Sequence, residues 1–194
     1  MTDRNTREHV LDSLLDTIAA HGLERATIRE VAAAAEVSIG TVQYYCRAKE
    51  EMLRLAFEHV IDRPLARAQA VPREGVVDLV LRRALQEFLP LDEERTRETR
   101  VYLAFAARAV VDRRIAEMQH ASMARLRALC ADALRLGQDR GQAHRDVDAD
   151  RFGAATVALL DGLCLQLLSD PDGIDPSTAV AVIDAHIATH FRGP

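Results

Sequence analysis

The chain has 194 residues, of which 48% are hydrophobic and 28% are charged, and its formal net charge is −5. This length and composition suit one or two folded domains and exclude a disordered chain. The negative charge excludes a global basic field, so any contact with nucleic acid must depend on a local cluster of bases. No apolar run of about 20 residues and no secretory signal is found, which predicts a cytoplasmic protein without membrane association.

The N-terminal part of the chain predicts a helix-turn-helix. Apolar residues recur at intervals of three and four, and the first helix is expected at about 6–21. The sequence TIRE, residues 27–30, has the form of a capping box, so a second helix begins there and ends near Glu36. Ser38 is placed to cap a third short helix at about 39–46. Two short helices at this spacing form a helix-turn-helix.

The remainder of the chain predicts six longer helices, which makes an all-α fold of about nine helices. One begins at Lys49 and is expected to bend or end at Pro64. The other five are expected at about 76–89, 92–111, 113–136, 152–168 and 178–191. We therefore expect a three-helix domain over residues 1–48 and a larger helical domain over residues 49–194.

The last two predicted helices are apolar on most of their faces. Such a surface needs to be covered, and a second copy of the chain would cover it in a four-helix interface. The residues expected at this homodimer interface are Phe152, Leu159, Leu163, Val180, Ile183 and Ile187. The alternative is that both helices form the core of a monomer.

The third helix carries polar and uncharged side chains suited to a DNA groove. In a helix-turn-helix, the second helix lies in the major groove and reads base edges, while flanking groups contact phosphates. Thr41 and Gln43 are suited to hydrogen bonds with bases, and Ile39 is suited to contact with a thymine methyl group. Gly40 permits a close approach of the backbone.

Local charge at the end of this helix is positive. Residues 37–49 contain Arg47 and Lys49 but no acid, and Lys49 is the only lysine of the chain. Tyr44 and Tyr45 lie about 100° apart on a helix, so at least one hydroxyl faces outward. A lysine at a helix N-terminus opposes the macrodipole, but a phosphate there would be held by the free amides and by Lys49 together. The alternative is a surface lysine without a specific role.

The segment ATIREVAAAAEVSIGTVQYYCRAKEEML resembles the N-terminal domain of the TetR family of bacterial transcriptional regulators in the order and spacing of its residues. The resemblance implies that Thr27 and Tyr45 hold phosphates and that Lys49 anchors the DNA backbone. The expected DNA-binding residues are Thr27, Ser38, Ile39, Gly40, Thr41, Gln43, Tyr44, Tyr45 and Lys49. Two positions depart from the family: Gln43 stands where members often have tyrosine, and Cys46 stands where most have phenylalanine.

The resemblance implies that the larger domain binds a small effector and dimerises through its last two helices. The sequence ALLDGLCLQLL, residues 158–168, is similar to the eighth helix of the betaine-pathway regulators. Choline-like ligands favour aromatic cages, which 4% aromatic residues and no tryptophan supply poorly. Either Arg100 or Arg108 is expected to supply a charge, and the residues expected to line the pocket are Phe57, Phe88, Tyr102, Phe105, Met118 and Met123. The alternative is that these residues fill a solid core.

No catalytic or cofactor motif is found, so we expect no catalytic residues, no cofactor and no metal. His186 and His190 are interpreted as favourable cations near a helix end rather than as metal ligands. Asp161 interrupts an apolar helix, where burial without a partner is costly. We expect Asp161 either to bond across the dimer interface or to face water in a groove.

The sequence therefore predicts a homodimeric repressor that binds a palindromic double-stranded DNA operator and is released by an unidentified small-molecule effector. The alternative is a helical dimeric interaction or ligand-binding module whose DNA-binding motif has decayed. Cys46 and the acidic first sixty residues, with seven bases against ten acids, favour that alternative.

Overall fold

The computed structural model describes residues 3–192, which form an all-α fold, as predicted. Within these residues an isolated antiparallel bridge between Ala143 and Phe191 is the only extended pairing. The nine helices of the described residues are α1 (Asp3–His21), α2 (Ile28–Ala34), α3 (Ile39–Tyr45), α4 (Lys49–Ala70), α5 (Val77–Gln86), α6 (Glu93–Ala109), α7 (Arg113–Asp139), α8 (Ala149–Ser169) and α9 (Pro176–Ala188).

Helices α1, α2 and α3 pack around the first of two hydrophobic cores. Thr27 caps α2, because its hydroxyl accepts a hydrogen bond from the amide of Glu30 at 3.2 Å. The reciprocal bond of the predicted capping box is not formed, since the amide of Thr27 donates to the carbonyl of Arg25 at 2.8 Å. The largest side chains fully buried in this bundle are Leu14, Leu15, Ile18, Val31 and Val42.

Helix α4 continues beyond Pro64, so the prediction that it ends there is wrong. A proline inside a helix costs about 3 kcal/mol, and contacts with α6 on both sides of the proline offset this cost. Val60 lies in the same core as Val101 of α6, and Arg67 binds Glu98 of α6. The 22 residues of α4 form one helix about 33 Å long.

The first core does not stop at the end of α3. It continues through Phe57 of α4 to Val101 and Phe105 of α6, so the helix-turn-helix and the larger domain share buried side chains. The division of the chain at residue 48 therefore remains a prediction.

The second core lies between α5, α7, α8 and α9. Helix α7 runs through Gly137 to Asp139, beyond the predicted end at residue 136. Gly137 is needed inside the helix, because a Cβ atom there would lie 2.6 Å from the ring of Phe191. At the crossing of α7 and α8, a Cβ atom on Gly153 would lie 2.4 Å from the carbonyl oxygen of Arg127.

Helix α8 is, among the described residues, the one helix long and apolar enough to cross a membrane. The expectation that no apolar stretch reaches this length is therefore wrong for α8. However, 44% of its most apolar window is buried inside the subunit, and α8 packs against both α7 and α9. This packing makes α8 a core helix of the larger domain.

Gly153→Ala is expected to lower the free energy of unfolding by about 1–3 kcal/mol, because the added methyl group forces α7 and α8 apart. Urea unfolding followed by circular dichroism measures this change. Gly40→Ala is the matched control, since its Cβ would meet only the hydroxyl of Ser38 at 3.6 Å. Equal stability of the wild type and Gly153→Ala would contradict the close crossing.

Candidate nucleic-acid interface and effector cavity

The two faces of α3 differ in exposure. Val42 and Cys46 point into the first core and are 0% and 2% exposed. On the opposite face Ile39 is 45% and Tyr44 is 73% exposed, and Gln43 is exposed as well. The structure therefore brings three of the expected groove-facing residues together on one open surface.

The start of α3 is fixed by a side-chain cap. The Ser38 hydroxyl accepts a hydrogen bond from the amide of Thr41 at 3.0 Å and lies 2.9 Å from the Thr41 hydroxyl. The surface at Gly40 is otherwise open. Ser38 thus caps the N-terminus of α3 and fixes the position of the half-buried Thr41.

Tyr45 lies between the core and the surface. It packs partly against the first core, and its ring meets the ring of Tyr44 edge-on, with centroids 5.1 Å apart. Because Tyr45 is partly enclosed, it positions Tyr44 on the exposed face. Thr27 is half-buried and uses its hydroxyl to cap α2.

Lys49 connects the first turn of α4 to the loop between α1 and α2. Its Nζ donates a hydrogen bond to the carbonyl oxygen of Glu24 at 3.0 Å and lies 3.7 Å from the carboxylate of Glu24. The same carboxylate accepts a hydrogen bond from Arg108 of α6 at 3.0 Å. The carbonyl and the carboxylate of Glu24 therefore stabilise the ammonium group of Lys49, which explains why a cation is tolerated at the N-terminus of α4.

Exposed arginines lie beside α3 and near the N-terminus of α4, whose first turn also carries Glu50 and Glu51. No side chain caps the N-terminus of α4, where Glu51 instead accepts a hydrogen bond from the amide of Arg47 at 2.8 Å. The side chains of Arg29 and Arg47 are exposed, and within the described residues neither forms an ion pair. An uncapped helix N-terminus beside exposed arginines is an arrangement suited to phosphate.

A cavity of about 70 Å³ lies between α4, α6, α7 and α8 of the larger domain. Of the predicted lining residues, Phe88, Tyr102 and Met123 do line it. The prediction is wrong for the other three. Phe57 and Phe105 pack against each other in the first core with ring centroids 5.2 Å apart, and Met118 packs partly against the same core.

Charged residues line one side of this cavity. Arg67 of α4 donates two hydrogen bonds to Glu98, at 3.1 and 2.6 Å, although Glu98 is only 3% exposed. The hydrogen bond with Glu98 raises the pKa of Arg67. Glu87 lies 3.2 Å from Arg67 and 3.5 Å from Arg95. Both glutamates of the lining are therefore neutralised by arginines.

The arginines that line the cavity are not the two that the sequence predicted. Arg100 and Arg108 do not line the cavity, because Arg100 is exposed beside α1 and Arg108 binds Glu24 and Asp112. The pairing of Arg67 with Glu98 joins residues 31 positions apart, so no local sequence signal could have revealed it.

Asp161 of α8 is half-buried, lines this cavity and forms a hydrogen bond inside its own subunit, so the bond across the dimer interface remains a prediction. Its carboxylate accepts a hydrogen bond from the hydroxyl of Tyr102 at 2.9 Å, and Gln119 donates to that hydroxyl at 3.0 Å. Burial raises the pKa of Asp161, and the hydrogen bond from Tyr102 and the charge of Arg127 act in the opposite direction. Burial, followed by the charge of Asp161, raises the pKa of Tyr102.

The residues predicted for the dimer interface lie deeper than expected. Phe152, Leu163, Ile183 and Ile187 belong to the core of their own subunit, so their assignment to a partner contact is corrected. They are buried because α8 and α9 turn their largest side chains toward α5 and α7. Leu159 and Val180 are half-buried. The exposed residues of α8 instead include Leu165, which is 52% exposed, and the small residues Ala154, Ala155 and Ala158, together with Arg151 and Gln166.

A capped, outward-facing α3 and an all-α domain with an internal cavity define a helix-turn-helix transcriptional regulator. Residues 10–56 match the family of bacterial regulatory proteins named tetR, and residues 79–192 match the C-terminal domain of BetI-type transcriptional repressors. The chain belongs to the TetR family.

Individual relatives agree with this assignment. The chain is similar to the HTH-type transcriptional regulator PksA of Bacillus subtilis, with 29% identity over 93% of this chain and 87% of the relative. A transcriptional regulator from Rhodococcus sp. Rha1 has 32% identity, full coverage of both chains and a TM-score of 0.84. A regulator from Saccharomonospora viridis, solved in complex with choline, shares the fold with a TM-score of 0.82, 22% identity and coverage of 98% and 100%.

Asp161→Asn is expected to stabilise the protein at neutral pH. The pKa of Asp161 is higher in the folded protein than its ordinary value of 3.8. The stability that the protonated carboxyl group contributes is therefore fully present below pH 3.8 and is lost as the pH rises through the pKa of the folded state. Asparagine keeps an acceptor for Tyr102 but carries no charge. Urea unfolding should therefore show a gain over the wild type at pH 7.5 that shrinks toward pH 4.

Asp172→Asn is the control for this comparison, because Asp172 is exposed. A loss of stability in Asp161→Asn at pH 7.5 would contradict the cost assigned to the buried carboxylate.

Proposed function

We propose that the chain is a homodimeric repressor in which the α3 helices of two subunits enter successive major grooves of a palindromic operator. The observation that carries this proposal is the exposed face of α3, where Ile39, Gln43 and Tyr44 precede the uncapped N-terminus of α4. A buried α3 face would not be available to DNA. The operator and the chromosome on which it lies are reached from the cytoplasm, which is the location we propose.

The roles of the α3 residues follow from their exposure and chemistry. Gln43 has the donor and acceptor of an amide and is suited to adenine in the major groove. Ile39 is suited to a thymine methyl group, and Tyr44 reaches furthest from the protein surface. Gly40 allows the backbone to approach the base edges.

Phosphate contacts are proposed for the residues around α3. Arg29 and Arg47 are exposed and form no ion pair within the described residues, so DNA does not have to break a contact to reach them. Lys49 differs, because it is held by Glu24. We infer that Lys49 exchanges Glu24 for a phosphate when the duplex docks at the N-terminus of α4.

The effector is proposed to bind in the cavity between α4, α6, α7 and α8. Its volume of about 70 Å³ is smaller than most ligand sites, so a ligand enters only if the surrounding helices separate. Helix α4 contributes five residues to the wall, which are Val60, Ile61, Pro64, Leu65 and Arg67. A displacement of α4 moves its N-terminus, next to α3, and changes the distance between the two α3 helices of the dimer.

The dimer is proposed to form through the exposed sides of α8 and α9. Leu165 stands among small residues on α8, and Ala181, Ala185 and Ala188 are exposed on α9. Such faces allow helices of two subunits to approach closely in a four-helix arrangement. The exposed apolar surface of α8, a helix whose other side is buried, favours contact with the same surface of a second copy of the chain.

Gln43→Ala is expected to weaken binding to the DNA upstream of the gene by about 1–3 kcal/mol while leaving binding to unrelated DNA unchanged. Lys49→Ala should weaken binding to both and reduce the salt dependence. Fluorescence anisotropy at several salt concentrations measures both effects. Gln69→Ala is the matched control on an exposed part of α4. Wild-type affinity in both α3-region variants would count against the proposal.

Leu165→Arg is expected to raise the dissociation constant of the dimer by about 100-fold, because each copy buries an unpaired charge. Sedimentation analysis should show monomers that no longer bind a two-half-site duplex. Leu79→Arg is the matched control, since Leu79 is 46% exposed on α5. A dimeric Leu165→Arg protein would exclude this face as the interface.

A further inference from the structure

The effector cavity contains one carboxylate that forms no ion pair within the described residues, although the charge of Arg127 acts on it from further away. The two glutamates of the lining bind Arg67 and Arg95, as described above. Asp161, in contrast, has no arginine, lysine or histidine nitrogen within 4.0 Å among the residues that the structure describes. A partly buried carboxylate without a cation is costly to the folded protein, so a cationic ligand there would relieve that cost.

Hydrogen-bond acceptors accumulate at this end of the cavity. Tyr102 uses its only proton to donate to one oxygen of Asp161, and Gln119 donates to Tyr102. The second Asp161 oxygen receives no hydrogen bond from any described residue, and behind the cavity wall the side-chain oxygen of Gln119 is buried without a partner among those residues. The ligand that satisfies such a site must bring donors.

The remaining wall of the cavity is mostly apolar, with Ser122 and Arg125 of α7 as polar members. The apolar lining that Asp161 shares includes Met123 and Leu126 of α7, Leu160 of α8 and Val60 and Ile61 of α4. This lining fits a compact apolar body attached to the charged group.

The geometry argues against a quaternary ammonium ion as the cation. Such an ion has no N–H donor and is bound mainly by the faces of several aromatic rings. The lining of this cavity has two aromatic rings, those of Phe88 and Tyr102, and the hydroxyl of Tyr102 is bonded to Asp161. A carboxylate with a free oxygen is suited instead to a directional, charge-assisted N–H bond.

We propose that the effector is a protonated primary or secondary amine with a compact apolar body, bound through its N–H groups to Asp161. This inference rests on the proposed function, since it names the ligand class of the same cavity. Tyr102 is a positioning residue, because its hydrogen bond fixes the orientation of the carboxylate. The apolar body contacts Val60 and Ile61, which places the effector against the helix that leads to α3.

Isothermal titration calorimetry with four matched probes tests this inference on the full-length dimer. The probes are 2-phenylethylamine, its N,N,N-trimethyl derivative, 2-phenylethanol and choline. We expect 2-phenylethylamine to bind at least about tenfold more tightly than each of the other three. Asp161→Asn should lower the affinity for the amine by about tenfold or more and leave the affinity for the alcohol unchanged.

Asp132→Asn is the control variant, because Asp132 is an exposed carboxylate of α7 that already binds Arg135. Operator binding by each variant, measured on the same preparation, confirms that the variant is folded. The inference is overturned if a quaternary ammonium probe binds as tightly as the amine, or if Asp161→Asn binds the amine like the wild type.

The two proposals fail in different ways. A wild-type protein that binds the operator but not the amine would contradict the ligand class and leave the DNA-binding function standing. A wild-type protein that binds no upstream DNA would contradict the proposed function, whatever the amine titration shows.

Discussion

The ion pair between half-buried Arg67 and buried Glu98 holds the second half of α4 against α6, and the link between α3 and the cavity depends on this contact. Removing Arg67 leaves buried Glu98 with only Arg63, whose Nε lies 3.9 Å from its carboxylate. Breaking a buried ion pair costs about 3–5 kcal/mol, and less where a second cation remains. Because the pair keeps α4 in place beyond Pro64, a single helix begins beside α3 and ends as a wall of the cavity. A ligand in the proposed effector cavity and a duplex at the proposed DNA surface would therefore act on the same helix.

Two sites in the chain depart from what stability alone would favour. Lys49 places a cation at a helix N-terminus and requires Glu24 to compensate it, and Asp161 places a carboxylate in an apolar helix where, among the described residues, it forms a hydrogen bond with Tyr102 but no ion pair. Departures of this kind are expected where a binding partner completes the arrangement. One site lies on the proposed DNA surface and the other lies in the proposed effector cavity.

Local signals in the sequence were sufficient to predict the all-α fold and the approximate bounds of its helices. The helix caps at Thr27 and Ser38 and the apolar periodicity predicted nine helices near their observed positions, because both depend on neighbouring residues. The interior of the larger domain was not predictable in this way. Phe57 and Phe105 were expected in a cavity but fill a core, and Arg67 and Glu98 were not anticipated. These outcomes depend on which helices cross, and the crossing of α7 and α8 depends on Gly153.

Site-directed DNA cleavage from α3 tests the central claim, that the exposed face of α3 lies in the major groove. The three native cysteines, Cys46, Cys130 and Cys164, are buried, so Gln43→Cys provides one reactive thiol for a cleavage reagent such as phenanthroline–copper. The account predicts cuts at two symmetry-related positions in the upstream DNA, and none from the same reagent at Asp172→Cys. Absence of localised cuts from position 43, or an equal pattern from position 172, would contradict it.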